Sequence, residues 1–307
     1  MTTPSYRELP LIDAAGDYRH AWDVFPPDDN LGCLRRLTPE ARGRGLATVT
    51  ENTVVTISLP VNEPAPPLFG RKEIEHRMFA PTRNTVDDRL DSFFPQASTQ
   101  WDGFRHVRAR EFGFFTGYTG DFAANDRLGI NHWAATGIIG RGILLDVAAQ
   151  FHAPHDPDEW IIDAEALALA AEHAGVQVAR GDVLCVRTGW MKRYQDSDLE
   201  TRARLANERS WPGLAGSSAV AELLWDWGVC AVTADNPAVE ASPGRTRDGS
   251  LHRRLLPLLG MPMGELFTFD RLAETCAELG RWEFLFVSVP LNLPGGVGSP
   301  GNAVAIL

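Results

Sequence analysis

Cysteine is scarce in this sequence of 307 residues, and its four copies stand far apart without forming a CxxC pair. This spacing suggests neither a disulfide framework nor a zinc ribbon. No uninterrupted apolar run approaches the ~18 residues that a membrane-spanning helix needs. The first residues also lack the basic and apolar segments of a secretory signal. We therefore expect a cytoplasmic protein that does not span a membrane.

Basic residues are outnumbered, because 29 Lys and Arg face 40 Asp and Glu, which gives a net charge of −11. Nucleic acids and anionic membranes are bound by basic surfaces. The charge balance therefore argues against a nucleic-acid partner and against a membrane partner. Hydrophobic residues make up 44% of the chain, which is typical of a globular protein with a sizeable core. A small-molecule substrate is the partner that we expect.

Helical and extended patterns alternate along the C-terminal half of the chain. Residues 163–175 and 217–228 each begin with a capping Asp or Ser and end with Gly, as helices do. A further helix is expected at 269–280, and strands are expected at 53–60, 137–147, 183–188, 229–235, 282–289 and 302–307. This alternation predicts an α/β (α+β) layered fold in a single domain.

The N-terminal half has weaker patterns. Residues 1–50 are expected to form a helical and loop-like extension, followed by the main domain at 51–307. Residues 81–135 are rich in aromatic residues and glycine and lack a helical period, so we expect short strands at 99–102 and from Val107 onward.

The densest polar cluster of the sequence lies between residues 96 and 106. Alternate side chains of an extended chain face the same side. If the segment is extended, one face carries Gln96, Ser98, Gln100, Asp102 and His106. A row of oxygens with one imidazole suits a metal ion or a polarised substrate, whereas a plain surface strand would show the same spacing.

This cluster resembles the His-x-Gly-Thr-His-x-Asp-x-Pro-x-His motif of the metal-dependent cyclase family, which includes kynurenine formamidases and isatin hydrolases. Further segments are similar to the family in the same order. Residues 141–147 resemble its RGVLLD segment, residues 181–190 its GDVVLVRTGW strand, and residues 251–265 its late His and Glu. The resemblance covers roughly residues 50 to 307.

The resemblance implies a swivelling β/β/α cyclase-like fold and a homodimer or homotetramer. It also implies an enzyme that hydrolyses a C–N or C–O bond in a lactam, lactone or amide, with His106 as general acid or base and with Asp102 in the same site. A divalent metal, Mn²⁺ or Zn²⁺, is implied as the cofactor. Its implied ligand positions are Gln96, Gln100, Asp102, His252 and Glu265.

The sequence departs from the motif at both metal-binding His positions, which are Gln96 and Gln100 here. An amide oxygen is a weaker ligand for Zn²⁺ than an imidazole nitrogen, so the change favours a harder ion such as Mn²⁺. Two alternatives to the hydrolase therefore stay open. One is a metal-independent lyase or cyclase that dehydrates or closes a ring, and the other is a noncatalytic small-molecule binder on the same scaffold.

Three further histidines have spacings that suggest chemistry. His132 lies in an aromatic-rich segment and is a candidate second acid or base, although a packed loop histidine would look the same. His152 and His155 have a metal-like spacing, but a solvated, Pro-containing loop is the better interpretation.

Aromatic side chains surround the polar motif. Trp101, Phe104 and Trp133, with Gln100, are candidates for binding a flat substrate. Core packing is the alternative, since it is the usual role of such rings. All of these site predictions require the chain near residue 100 to meet the chain near residue 260 in space.

Overall fold

The computed structural model describes residues 3–13, 16–151 and 160–307. His152 and His155 lie outside these ranges, so their predicted loop is not tested. In chain order the strands are β1 (Val54–Thr56), β2 (Glu75–Thr82), β3 (Thr85–Asp91), β4 (Gln100–Asp102), β5 (Ile138–Leu145), β6 (Ile161–Ile162), β7 (Val183–Val186), β8 (Gly213–Leu214), β9 (Ala231–Ala234), β10 (Met263–Glu265), β11 (Glu283–Ser288), β12 (Gly298–Pro300) and β13 (Ala303–Ile306).

The helices follow the predicted alternation with the strands. They are α1 (Pro39–Leu46), α2 (Asn131–Thr136), α3 (Val147–Gln150), α4 (Ala164–His173), α5 (Trp190–Asp196), α6 (Leu199–Asn207), α7 (Ser218–Trp227), α8 (Leu251–Arg253) and α9 (Asp270–Leu279). Asp163 caps α4 and Ser217 caps α7, each by accepting a hydrogen bond from a backbone N–H of the first turn. Among the described residues, no helix has the length and apolarity needed to cross a bilayer.

One sheet of nine strands organises the described chain, in the order β1-β13-β11-β5-β7-β9-β10-β4-β12. Its centre, from β5 to β10, is parallel, and both sides continue in antiparallel pairs. The sheet curls, because only Gly301 and Asn302 separate β12 on one edge from β13 near the other. The central strands β7 and β9 are buried along their whole length and form the core. The predicted α/β fold in a single domain is confirmed.

The described part of the first fifty residues, 3–13 and 16–50, packs onto this core. Leu9, Ala21, Cys33, Leu34 and Leu37 are buried in the same apolar cluster as the central strands. Helix α1 starts after Thr38, whose hydroxyl accepts a hydrogen bond from the backbone of the first turn. The N-terminal segment thus contributes apolar side chains to the core of the main domain.

The region between residues 75 and 136 differs from the sequence prediction. Strands β2 and β3 form a hairpin whose side chains are almost all exposed, and the sequence pattern had not indicated it. The strand expected from Val107 onward is wrong, because the backbone turns with positive φ at Arg110 and Thr116 and forms short 3-10 turns. A short helix, α2, ends the region, where no helical period was recognised.

Candidate functional site

The site is built on the antiparallel pair of β4 and β10. Gln100 lies opposite Glu265 and Asp102 lies opposite Met263. Because side chains alternate along a strand, Gln100, Asp102 and Glu265 share one face. The chain near residue 100 therefore meets the chain near residue 260, as the sequence interpretation required.

Asp102 is the centre of the site and is fully buried. The Gln96 amide nitrogen donates a hydrogen bond to Asp102 Oδ1 and also lies 3.3 Å from His106 Nδ1. His106 Nε2 is 3.7 Å from Asp102 Oδ2, and 32% of the His106 side chain is exposed. His106 therefore stands between a buried carboxylate and solvent, where a proton can enter or leave.

His252 lies on the other side of Asp102 and is oriented by two glutamates. It belongs to α8, which Ser250 caps and which continues into a π-helical turn, a feature that is frequent at functional sites. Its Nδ1 lies 2.6 Å from Glu240 Oε1. Its Nε2 lies 3.0 Å from Glu265 Oε1 and 3.6 Å from Asp102 Oδ2. The second nitrogen of the ring therefore faces the two buried carboxylates.

The two imidazoles have opposite shifts of pKa. Burial lowers the pKa of His106, and the charge of Asp102 offsets this only in part. Burial also lowers the pKa of His252, but the carboxylates of Asp102, Glu240 and Glu265 outweigh it and raise the pKa well above its ordinary value. Near neutral pH, His106 is therefore a free base, while His252 is the cation of a carboxylate cluster.

The carboxylates also differ from one another. Burial, followed by the negative charge of Asp102, raises the pKa of Glu265 to about 7. Burial would likewise raise the pKa of Asp102, but His252 and His106 lower it below its ordinary value. Two close carboxylates favour sharing of one proton, so Glu265 holds the proton and Asp102 the charge.

The donor atoms fit a divalent metal. One ligand atom each from Asp102, His252 and Glu265 lies within 4.8 Å of the others. Asp102 Oδ2 and Gln100 Oε1 are buried without a hydrogen-bond partner, which is costly unless a water or an ion satisfies them. The hydrogen bond from His252 Nδ1 to Glu240 turns Nε2 toward Glu265 and Asp102, as in histidines that bind metals in other proteins.

The two glutamines have a different contact from the one that the sequence suggested. Gln96 donates its amide N–H to Asp102, and Gln100 donates its amide N–H to Glu265. Both side chains thus use their amide nitrogen to hold a carboxylate in place, whereas a metal ligand would use its amide oxygen. Their role as metal ligands stays a prediction.

The three aromatic candidates lie in the core. Trp101 points to the opposite face of β4, where its Nε1 donates to Ser288 Oγ at 2.9 Å. Phe104 packs against Trp133 with ring centres 4.9 Å apart. All three rings have no exposed surface, so a substrate would reach them only after rearrangement. Their predicted role in substrate binding stays a prediction.

His132 and Ser98 lie apart from the cluster in the described structure. His132 Nε2 is 3.1 Å from the backbone oxygen of Asp126 and 3.5 Å from its carboxylate. Ser98 Oγ donates to the backbone oxygen of Pro60 at 3.0 Å. Ser98 leaves the shared face because only residues 100–102 are extended, while residues 95–96 form a turn. The structure thus links His132 to an acidic loop, and its catalytic role stays a prediction.

Two functional candidates were missed by sequence reasoning. Glu240 lies in the loop that follows β9, and nothing in its spacing along the sequence pointed to His252. Arg71 follows a Pro-rich stretch at residues 62–67, and its charge acts on Glu265, Asp102 and His106. No sequence signal indicated either contact, since both depend on the tertiary fold.

Comparisons with known proteins agree with the fold. Residues 50–241 match the model of a family described as putative cyclase. No curated protein matches the sequence. A crystal structure described as a novel cyclase matches with a TM-score of 0.82 and 27% identity, over 94% of this chain and 99% of that chain.

Two solved structures of lower identity share the fold. One is an isatin hydrolase bound to the product analogue thioisatinate, with a TM-score of 0.60, 16% identity, and coverage of 86% of this chain and 95% of that chain. The other is a predicted metal-dependent hydrolase from Bacillus stearothermophilus, with a TM-score of 0.51, 14% identity, and coverage of 82% and 97%.

Proposed function

The chain belongs to the cyclase family, and on that premise we propose that it is a hydrolase that opens a C–N or C–O bond in a small cyclic or carbonyl compound. One observation carries the proposal: the imidazoles of His106 and His252 flank the buried Asp102, with Nε2 of each ring 3.7 and 3.6 Å from Asp102 Oδ2, and their pKa values shift in opposite directions. Catalytic sites typically contain two titratable groups of the same kind whose surroundings move their pKa values apart. His106 is the free base with access to solvent, and His252 is a cation that would give up its proton on binding a metal.

His106 is the general acid and base of the proposed reaction. Its neutral ring accepts a proton from the water that attacks the carbonyl carbon. When the C–N or C–O bond breaks, the same ring returns this proton to the departing nitrogen or oxygen. Asp102 stabilises the protonated ring in between, and Gln96 orients it through its contact with Nδ1. A lactone or lactam gives a ring-opened acid.

Asp102, His252 and Glu265 are the residues that we propose to hold a divalent metal, Mn²⁺ or Zn²⁺. When bound, such a metal polarises the carbonyl group of the substrate. Glu240 keeps the His252 ring turned toward the carboxylates, and Gln100 fixes the second oxygen of Glu265. Two carboxylates with a single imidazole form a harder donor set than two or three imidazoles, so we place Mn²⁺ first.

The test is the replacement of His106 by Ala, assayed on small lactones, lactams, N-formyl amides and phenyl acetate. General acid–base catalysis contributes about 10²–10⁴-fold, and we expect a loss of kcat of that size with an unchanged melting temperature. His173→Ala, at the end of α4, is the control. Retention of the full rate by His106→Ala would remove His106 from the mechanism.

Metal dependence separates the hydrolase from the metal-independent lyase. Treatment of the wild-type protein with a chelator should remove hydrolysis of these compounds, and Mn²⁺ should restore it. Dehydration or ring closure by the chelated protein, without hydrolysis, would contradict the proposal and support the lyase.

A further inference from the structure

Arg71 lies in a segment that the structure holds firmly beside the site. The segment follows Leu68, which is buried in an apolar cluster that also contains Trp211 and Leu266. Leu266 is the direct neighbour of Glu265 along the chain. Earlier in the chain, the backbone N–H of Ala65 donates a hydrogen bond to the hydroxyl of the buried Tyr194 at 2.8 Å. These contacts fix where the Arg71 side chain begins.

The guanidinium of Arg71 has no ion pair or hydrogen bond to the rest of the described chain, and its Nη1 is buried without a partner. Arg187, which is half-buried like Arg71, shows the usual arrangement, since it pairs with Asp146 at 2.8 Å and with Asp270 at 2.7 Å. Leaving a buried charged donor unpaired is costly. A guanidinium in a site whose N–H donors lack an acceptor therefore points to a ligand that accepts their hydrogen bonds.

The charge of Arg71 acts on the catalytic cluster. Burial lowers the pKa of Arg71, and the charges of Glu265 and Asp102 oppose this effect. The positive charge of Arg71 in turn contributes to the lowered pKa of His106, although burial and the charge of His252 contribute more. The guanidinium thus stands within electrostatic reach of the reacting residues, although it forms an ion pair with none of them.

An aromatic ring accompanies the free guanidinium. The Arg71 Cζ atom is 5.1 Å from the ring centre of Phe69, which is 42% exposed. Phe69 has a φ of 61°, an unusual backbone conformation for a bulky residue that is common at functional sites. Its ring meets the edge of Trp211 at 5.8 Å, and Trp211 Nε1 donates to the backbone oxygen of Glu240 at 3.1 Å. An apolar wall therefore links Arg71 to the residue that orients His252.

We propose that Arg71 binds a carboxylate of the substrate, so that the substrate class is a small ester, lactone or amide that carries an acidic group besides the bond to be cleaved. A guanidinium matches a carboxylate with two parallel N–H donors. The negative charge of Asp102, which acts on Arg71, would repel an anion, so a cation beside the site helps to hold one. The identity of the cleaved bond rests on the proposed function, whereas anion binding by Arg71 does not.

The kinetic test compares two esters that differ by one charge, 4-carboxyphenyl acetate and phenyl acetate. Hydrogen bonds to charged groups correspond to roughly ten- to hundredfold in affinity. We expect Arg71→Met to lower the ratio of kcat/KM for the charged ester over the neutral ester by about that factor, and Arg71→Lys to lower it less. Lys72→Met, which removes an adjacent exposed charge, should keep the ratio. An unchanged ratio in Arg71→Met would overturn the proposal.

A binding test is independent of turnover. Benzoate and neutral benzamide are titrated into chelator-treated protein, with saturation-transfer NMR as the readout. Arg71→Met should weaken benzoate about tenfold or more relative to benzamide, and Lys72→Met should not. If benzoate binding depends on Arg71 while neither ester is hydrolysed, the inference stands and the proposed hydrolysis fails. If hydrolysis depends on His106 while benzoate binding ignores Arg71, the hydrolysis stands and the inference fails.

Discussion

Glu240 offers the sharpest test of how the site is organised. Its Oε1 lies 2.6 Å from His252 Nδ1, and its Oε2 accepts the backbone N–H of Leu251 at 2.5 Å. Burial raises the pKa of Glu240, but the hydrogen bond and charge of His252 outweigh it and lower the pKa. Glu240 is therefore an anion that fixes which nitrogen of His252 carries the proton and which one faces Asp102.

The perturbation is Glu240→Gln, which keeps the size of the side chain and removes its charge. A hydrogen bond to a charged group is worth about 1.5–3 kcal/mol, and about 1.4 kcal/mol is a factor of ten. Loss of a residue that orients a metal-binding histidine costs roughly 10–100-fold in metal affinity. Both estimates predict that Mn²⁺ binds Glu240→Gln about ten- to hundredfold more weakly than it binds the wild type.

The assay is calorimetric titration of Mn²⁺ into metal-free protein, with Zn²⁺ in a parallel series. Glu222→Gln is the matched control, because Glu222 forms an ion pair with Arg7 at 2.6 Å, away from the site. The melting temperature of each variant without metal shows whether it is folded. A folded Glu240→Gln that binds Mn²⁺ as tightly as the wild type would refute the role of Glu240, and with it the assignment of His252 as a ligand.

Two further outcomes are expected. The double change Gln96→His and Gln100→His places two imidazole nitrogens beside Asp102 and Glu265, so Zn²⁺ affinity should rise about tenfold or more; calorimetry showing no gain would mean that these positions do not reach the metal. The β2–β3 hairpin exposes Met78 and Val86, at 72% and 68%, and such a ribbon is marginal alone. Light scattering should therefore show a homodimer or homotetramer, whereas a monomer at assay concentration would contradict the family resemblance.

The local elements were predictable because their signals are local. The cap at Ser217, followed by an apolar helical period and Gly228, predicted α7 with its bounds nearly correct. The apolar run at residues 183–188 predicted β7, which is buried throughout. The β2–β3 hairpin escaped prediction because its side chains are exposed, so burial imposes no apolar alternation on its sequence.

The polar motif was also visible in the sequence, although the face that its residues share was only partly predicted. Residues 100–102 are extended as expected, but Gln96 reaches Asp102 from a turn and Ser98 turns away. The neighbouring Trp101 belongs to the opposite face, where Gly264 makes room for its ring. Alternation along the sequence therefore assigned side chains to the correct face only within residues 100–102, where the backbone forms a strand.

The sequence by itself determined the fold class and the chemical groups that are available. The chain is acidic, poor in cysteine and of the α/β class. It has two Gln, an Asp and a His in one short segment, and a His and a Glu near residue 260. Only the tertiary structure decided which of these groups meet. The contact of Gln100 with Glu265 spans 165 positions, and no local pattern encodes a register over that distance. Charge states depend on burial and on neighbouring charges, so the opposite protonation of His106 and His252 exists only in the folded chain. The same is true of the hydrogen bond between Glu240 and His252 and of the position of the unpaired Arg71 guanidinium beside the site.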